Sequence, residues 1–594
     1  MTTWNLDALY KGFDDPQFLA DLKKCEGITQ RYQALIQTHL THHNNEIKSI
    51  EAYITAMIDD MITLRRIGAF GHLSFTTNSK SKDALMTKSK VLKFESMLTE
   101  PRVVFKIWLK EIASLETLAS QSELIHEHRF FLEELMASTE HMMSPKEEIL
   151  ASKLGATGAS AWETLQSKAS SQLAYDVPLP EGTQQMPIMA IRNLAFSGDR
   201  ALRKIGYETE LKAYETHAEV SASALNGIKG EVLTLSALRK FDSPLDETLF
   251  NSRMTRKTLD TMLQTMENFL PEFRRYMKAK SKLLGNDGPM PFYDMFAPVS
   301  ESDQSYTIDE ARKFIVTYFA DFSSDLSNFA DKCFEEQWID FEPRAGKVGG
   351  AFCSNIPSIN QSRVLLNFTG KLKNVLTIAH ELGHAFHGDR IMSESILNTS
   401  YPMPLAETAS IFCETIVRNA VLKNADDDLK LSILENSLSS ATQVIVDILS
   451  RFYFETAVFE ERKDHPLSVT ELKELMINAQ KKAYGEGLDE NYLHPFMWLN
   501  KNHYYYAARN FYNFPYAFGL LFATGLYAKY LTHPDSFLPK YDEMLKATGK
   551  MNILDVCAIM DINPEDEAFW TASLEKIKED VDAFEAIVEQ KLSK

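Results

Sequence analysis

Between Val375 and Phe386 an apolar, helix-forming run carries the pentad His380-Glu381-Leu382-Gly383-His384. Histidines four residues apart lie on one helical face, a turn from each other, so both imidazoles can reach a single metal ion. The glutamate between them stands beside that ion and can take a proton from a water held there. The pentad therefore demands a helix here and a further ligand from elsewhere in the chain.

A catalytic zinc takes three protein ligands and keeps one position open. One continuation of the pentad places a glycine three residues and a histidine six residues after the second histidine. Here those positions hold His387 and Arg390, so that pattern fails. The alternative is a carboxylate from a later helix, and Tyr401 to Glu414 supplies one. Pro402 and Pro404 set a rigid entry, and Glu407 is expected in the first helical turn among Ala406, Ala409 and Ile411. An acid on an apolar face needs a partner; a metal serves, and a buried ion pair is the other reading. Glu414 lies seven residues on. It either accepts a hydrogen bond from the outer nitrogen of a ligand histidine, fixing its tautomer, or stays solvated. His387 falls on a face similar to that of His380; it reads first as a satisfied core histidine, with packing behind the site or contact with substrate as the alternatives. Gly383 costs its helix about 1 kcal/mol relative to alanine, which close packing of another element would explain.

Most of the remaining chain has helical periodicity. Glu51–Ile67, Asp83–Leu98, Val103–Leu118 and Glu123–Met136 each repeat apolar residues at helical spacing, and Asp199–Leu238 reads as one long helix. Thr307-Ile308-Asp309-Glu310 is a capping box opening a helix towards Trp338. The first strong break is Asp176–Pro187, which divides an N-terminal helical lobe, 1–186, from a catalytic region, 187–594. Lys347–Ser354 and Arg363–Thr369 are short, β-prone and bounded by glycine, and predict a hairpin just before the metal helix, with Asn374 as that helix's N-cap. Gly349 and Gly350 suit either a strand edge that binds a peptide main chain or an ordinary turn.

Composition narrows the partners. The formal charge of -19 in 594 residues disfavours nucleic acid and anionic membranes as general partners. No apolar run approaches a membrane span, and Met1 to Tyr10 lacks the pattern of a secretory signal. Five widely spaced cysteines (Cys25, Cys333, Cys353, Cys413, Cys557) fit reduced thiols in a cytoplasmic protein. Late in the chain His503-Tyr504-Tyr505-Tyr506 and Asn510–Tyr516 form an aromatic cluster. It is either core or a source of hydrogen bonds to the oxyanion of a tetrahedral intermediate.

The runs Leu376–His387 and Leu405–Ser410 resemble the M3 family of zinc oligopeptidases, in particular its oligoendopeptidase F branch. Trp4–Tyr10, Gly349–Ser354, Leu366–Gly370 and Phe511–Tyr516 extend the resemblance over essentially the whole chain. It implies a predominantly α, two-lobed metallopeptidase with a deep substrate channel and a small β-hairpin or sheet beside the zinc helix. It implies one Zn2+ held by His380, His384 and Glu407, with Glu381 as catalytic base. It implies that Gly350, Ala351 and Phe352 pair with the substrate backbone. His503 with Tyr512 and Tyr516 would bind substrate or stabilise the oxyanion, Tyr505 and Tyr506 being the alternatives. The expected activity is hydrolysis of internal bonds in oligopeptides. A metallocarboxypeptidase shares the pentad and a distant glutamate, and a non-catalytic peptide binder with a structural zinc is the rival outside catalysis.

Overall fold

Helices with local caps dominate the chain, as the periodicity predicts, and two small sheets complete it. The computed structural model describes residues 3–299 and 305–593; Met1 and Thr2 of the amino-terminal stretch lie outside them. Among the described residues no helix is long and apolar enough to cross a membrane. One sheet is an antiparallel pair, β1 (Ala174–Leu179) and β2 (Gly182–Pro187), formed by the Asp176–Pro187 break itself. The other has the order β3 (Ile339–Asp340), β5 (Gln361–Leu365), β4 (Phe352–Ile356).

The chain forms two compact units, each gathered from three separate stretches. The first contains Met1–His141, Gln304–Ala420 and Lys529–Ile562; the second contains Met142–Asp303, Val421–Ala528 and Asn563–Lys594.

In the first unit the helix Glu46–Thr77 outruns its predicted extent at both ends. The Asn45 carboxamide caps it by accepting from the Lys48 amide at 3.2 Å. Its buried residues Ile50, Tyr53, Ile54, Met57, Leu64 and Ile67 recur every three or four positions and form the core-facing stripe. Elsewhere tertiary partners cut predicted helices. The 123–136 stretch breaks at His128, whose Nδ1 meets the Leu124 carbonyl at 2.8 Å and whose Nε2 meets Ser395 Oγ at 2.6 Å. The 103–118 stretch divides into Thr99–Lys110 and Leu115–Ala119, the second opened by Ser114. The capping box at Thr307 forms in full, but its helix ends at Phe322. Ser323 then takes an extended conformation and caps a new helix, Ser324–Glu335.

The predicted hairpin pairs in the register Phe352↔Leu365 to Ile356↔Gln361. Its first strand begins later than expected, because residues 346–350 turn, with φ of +89° at Gly346 and +84° at Gly350. Strand β3 was not anticipated: two residues long, it pairs in parallel with β5, a non-local contact that leaves no periodic trace. It carries Asp340, fully buried, which accepts from Arg344 at 2.6 and 2.8 Å and from Lys347 at 2.6 Å. These bonds outweigh burial and hold the Asp340 carboxyl below its ordinary range. They tie the 341–351 loop to the sheet. The amino-terminal stretch braces the same sheet: Arg363 Nε donates to the Asn5 carbonyl at 2.7 Å, and Trp4 lies edge-on to Phe352.

In the second unit the predicted 199–238 helix divides into Arg200–Glu215 and Ala218–Leu238. The Thr216 hydroxyl donates to the Ala213 carbonyl at 2.7 Å and tightens the turn. The later helix is crossed closely by Ala159–Gln172, since a Cβ on Gly227 would stand 2.6 Å from the Trp162 indole nitrogen.

Because Lys347 is as fully shielded as its partner, Asp340→Ala strands a buried cation. The expected cost is about 3 kcal/mol, read as a lower midpoint in urea unfolding, with Lys347→Met added in the same chain restoring much of it. An unchanged midpoint in the single variant would show that the ion pair does not hold the loop.

Candidate metal centre

The pentad sits in a helix, Leu372–Ile391, started differently from the prediction. Asn374 is not the N-cap but lies inside the first turn. Its Oδ1 reaches back to accept from the amides of Thr369 and Lys371, at 3.0 and 3.2 Å, and from the Thr369 hydroxyl at 2.8 Å. The donors left open by the chain's entry are satisfied from within the helix. Further along, the His380 and His384 rings stand 5.0 Å apart, nearly perpendicular.

The second element arrives after a single 3-10 turn at Met403–Leu405, set by Pro402 and Pro404. Its helix is Thr408–Asn424, so Glu407 lies one residue before the helix instead of in its first turn. The Glu407 carbonyl accepts the first helical bond, from Ile411. This puts the carboxylate at the mouth of the helix, with Oε2 3.2 Å from His380 Nε2 and 3.5 Å from His384 Nε2. Ser410, three residues on, donates to the same oxygen at 2.8 Å.

Gly383 makes this approach possible. A Cβ there would lie 2.5 Å from the Ala409 carbonyl oxygen and 2.6 Å from Ser410 Cα, both backbone atoms of the Glu407 segment. The close-packing element that the pentad's glycine suggests is thus the one that delivers the carboxylate. On the other flank Gly388 lets Asn355 of β4 come near, where a Cβ would meet its Oδ1 at 2.2 Å. Asn355 donates to the His384 carbonyl at 3.3 Å and accepts from Ser362 at 2.7 Å, bonding hairpin to metal helix. Sequence reasoning missed Asn355, which has no motif to mark it. Ser410 was readable as the serine three residues after a candidate ligand.

Among the described residues, one ligand atom from each of His380, His384 and Glu407 can be chosen so that all lie within 4.8 Å of one another. Two imidazole nitrogens and one carboxylate oxygen are a donor set that suits a catalytic zinc. His380 Nδ1 lies 3.0 Å from Glu414 Oε2, so the ring's other nitrogen faces the ligand group. The electrostatics follow from burial and charge. Burial depresses His380, but its bonds to Glu407 and Glu414 prevail and raise it to about 10. Burial holds His384 down to about 4, so that ring is neutral and its nitrogen lone pair is available. Burial works against the charged form of Glu407, yet the His380 bond and the two imidazoles hold it down to about 2. Glu381 is pushed up to about 7, first by burial and then by Glu407 and Glu414, against the pull of His380. Its Oε2 is buried and has no hydrogen-bond partner. A buried carboxylate oxygen left without a partner is the mark of a group that works on something other than protein.

The other predicted residues fall into two places. His387 is fully buried, stacked on Tyr401 at 4.3 Å, with Nε2 2.8 Å from Thr548 Oγ1. Gly350 and Ala351 precede β4 and do not form part of it; only Phe352 is in the strand. Asn367 donates to the Val348 and Gly350 carbonyls at 3.1 and 2.8 Å and fixes that approach. Strand β4 pairs with β5 on one side, and no other strand among the described residues pairs with it. His503, Tyr512 and Tyr516 belong to the second unit, whereas the metal group belongs to the first. The three gather with one another: the rings of His503 and Tyr512 are 6.1 Å apart, and Tyr516 donates to the Tyr512 hydroxyl at 3.2 Å. Tyr505 is buried and Tyr506 exposed.

The pattern of residues that defines peptidase family M3 matches residues 193–576, and one described as Oligopeptidase F matches 111–175. The chain belongs to peptidase family M3. It is a peptidase, and curated relatives match it over most of its length. An oligoendopeptidase F homolog of Lactococcus lactis subsp. lactis is 26% identical over 99% of this chain and 97% of its own length. The group B oligopeptidase PepB of Streptococcus agalactiae is 26% identical over 82% of this chain and 81% of its own. Oligoendopeptidase-F from Enterococcus faecium shares the fold, with a TM-score of 0.71 at 17% identity over 97% of this chain and 99% of that one. A solved structure from Chlamydophila abortus has a TM-score of 0.84 at 22% identity, covering 99% and 98%.

Gly383→Ala separates propensity from packing. Alanine favours the helix by about 1 kcal/mol, but its Cβ cannot coexist with the Ala409 carbonyl. The variant is expected to hold metal at least about tenfold more weakly, which corresponds to about 1.4 kcal/mol. Metal content after dialysis against a mild chelator measures this. Full retention would mean that the helices do not need to touch.

Proposed function

We propose that this peptidase is a zinc-dependent oligoendopeptidase that hydrolyses internal bonds of short peptides, with Glu381 as general base. The observation that carries the reading is the meeting of Glu407 with His380 and His384 beside an unpartnered Glu381. These three residues would hold the zinc. When bound, zinc supplies Lewis acidity, which lowers the pKa of a water and polarises a carbonyl. Glu414 orients His380 through Nδ1, and Ser410 fixes the Glu407 carboxylate, so both ligands are held in place before substrate arrives. Glu381 receives the proton of the attacking water and delivers it to the leaving amine nitrogen. A carboxyl raised towards neutrality suits both halves of that transfer.

The edge of β4 that no strand among the described residues pairs with supports a binding mode for the peptide. An extended segment can add to that edge through main-chain hydrogen bonds, which read no side chain and suit a broad range of oligopeptides. The turn at Gly350 and Ala351 leads directly into it. His503, Tyr512 and Tyr516 are proposed as donors to substrate or oxyanion. Burial keeps His503 neutral, and its Nε2 lacks a partner. The names of the relatives support an endopeptidase over a carboxypeptidase, as does a strand edge that needs no free terminus. The donor set likewise favours catalysis over a structural zinc, which closes with four protein ligands.

Glu381→Gln is expected to keep its zinc and lose turnover on the order of 10³-fold, measured with a quenched fluorescent peptide and metal analysis of the same sample. Near wild-type cleavage would remove Glu381 from the mechanism. Glu407→Ala should lose zinc to a mild chelator that leaves the parent loaded. Mass spectrometry of products from end-blocked peptides then decides the class: internal cuts are expected, and release of single residues from free C-termini only would assign a carboxypeptidase.

A further inference from the structure

Within the second unit a cavity of about 310 Å³ lies among the helix Arg200–Glu215, the turn Phe292–Asp294, the segment 494–501 and the helical turn Gln443–Asp447. That volume is at the lower end of those that take small ligands. Gln443–Asp447 is a π-helical turn, a wider winding that recurs at functional sites, and both of its end residues line the cavity.

The charges around the cavity do not balance. Arg192 stands 3.4 Å from Glu210, Arg451 is paired with Asp447, and Arg203 is bound to Asp294 at 2.9 Å. His494 Nε2 and the Asn500 amide also approach Glu210, at 3.5 and 3.4 Å. Every carboxylate here is thus already held by an arginine. Lys501 lines the cavity as well, and its ammonium makes no hydrogen bond or ion pair among the described residues. Burial, reinforced by Arg451 and Arg192, pushes that ammonium down to about 8, so it is still largely charged near neutrality. Asn500 Oδ1 is buried without a partner beside it. Tyr207, Phe292 and Phe296 give the lining an aromatic part. A part-buried cation that forms no ion pair and feels Asp447 and Glu210 only at a distance, in a cavity with aromatic lining, is complementary to an anion with an apolar body.

We propose that this cavity is a binding site for a small organic carboxylate, its carboxylate group against Lys501 Nζ and its apolar body against Tyr207, Phe292 and Phe296. The carboxylate can belong to a free organic acid or to the C-terminus of a single amino acid, and these two sources are separable. Lys501 leads into the 3-10 turn Asn502–Tyr505 that carries His503, so a bound ligand would lie against the base of that turn.

Calorimetric titration of the zinc-loaded protein tests the site with 3-phenylpropionate, N-acetylphenylalanine and 3-phenylpropanamide. The acids are expected to bind at least about tenfold more tightly than the neutral amide. Preference between the two acids identifies the source. Lys501→Met is expected to lose acid binding by about tenfold or more, and Lys501→Arg to retain it. Without ligand, Lys501→Met should melt higher than the parent, because it removes a part-buried charge that no ion pair holds; a misfolded variant would melt lower. Equal binding of acid and amide by the parent, or undiminished acid binding by a well-folded Lys501→Met, overturns the proposal. The acid-to-amide comparison needs no variant and stands even if the substitution fails to fold.

Discussion

The candidate metal centre depends on two backbones touching at Gly383. A side chain of any size at that position would hold the Glu407 segment away, and the third ligand atom would leave the reach of the two imidazoles. A glycine in mid-helix is a local loss of about 1 kcal/mol, small beside an interaction that assembles three ligands from two separate elements. The same logic repeats at Gly388, where Asn355 enters and ties the hairpin to the helix. The helix is therefore fixed on two flanks by contacts that only glycine admits, while its histidines are left facing the ligand group.

Burial then determines how each group behaves. Shielding a cluster of carboxylates and imidazoles raises some groups and lowers others according to which partner is nearest. Glu407 lies against both imidazoles and stays ionised; Glu381, with no hydrogen-bond partner on Oε2, rises towards neutrality. Two glutamates 26 positions apart in sequence thus differ in the way the two proposed tasks, ligand and proton carrier, require. A base with a pKa near the working pH is the most effective one, and an unpartnered oxygen is free to take a proton.

Legibility in the sequence followed the range of the interaction. The metal helix, the capping box at Thr307 and the stripe along Glu46–Thr77 depend on neighbours three or four residues away, and periodicity exposes these. Glu407 and Glu414 were readable because an acid in an apolar run, and a second acid seven residues on, are visible as departures from pattern. The features that escaped are non-local. Strand β3 exists because it pairs with β5, and the break at His128 is fixed by Ser395. Asn374 was misplaced by one turn since an amide side chain satisfies open amides equally well from the cap or from inside the helix.

The same distinction separates the two units of the chain. In the first, the unpartnered Glu381 oxygen lies beside the candidate ligand group, where the proposed hydrolysis uses it. In the second, Lys501 and Asn500 are equally out of balance with their surroundings, yet hydrolysis does not require them. A folded protein gains little from a part-buried ammonium that forms no ion pair, and replacing it with an apolar side chain is open to any sequence. Lys501 adjoins a π-helical turn, itself a local departure from ideal helix, so two separate costs fall on one cavity. Coincident costs at one place are the physical signature of a site, and the sign of the missing charge fixes the class of ligand that would repay them.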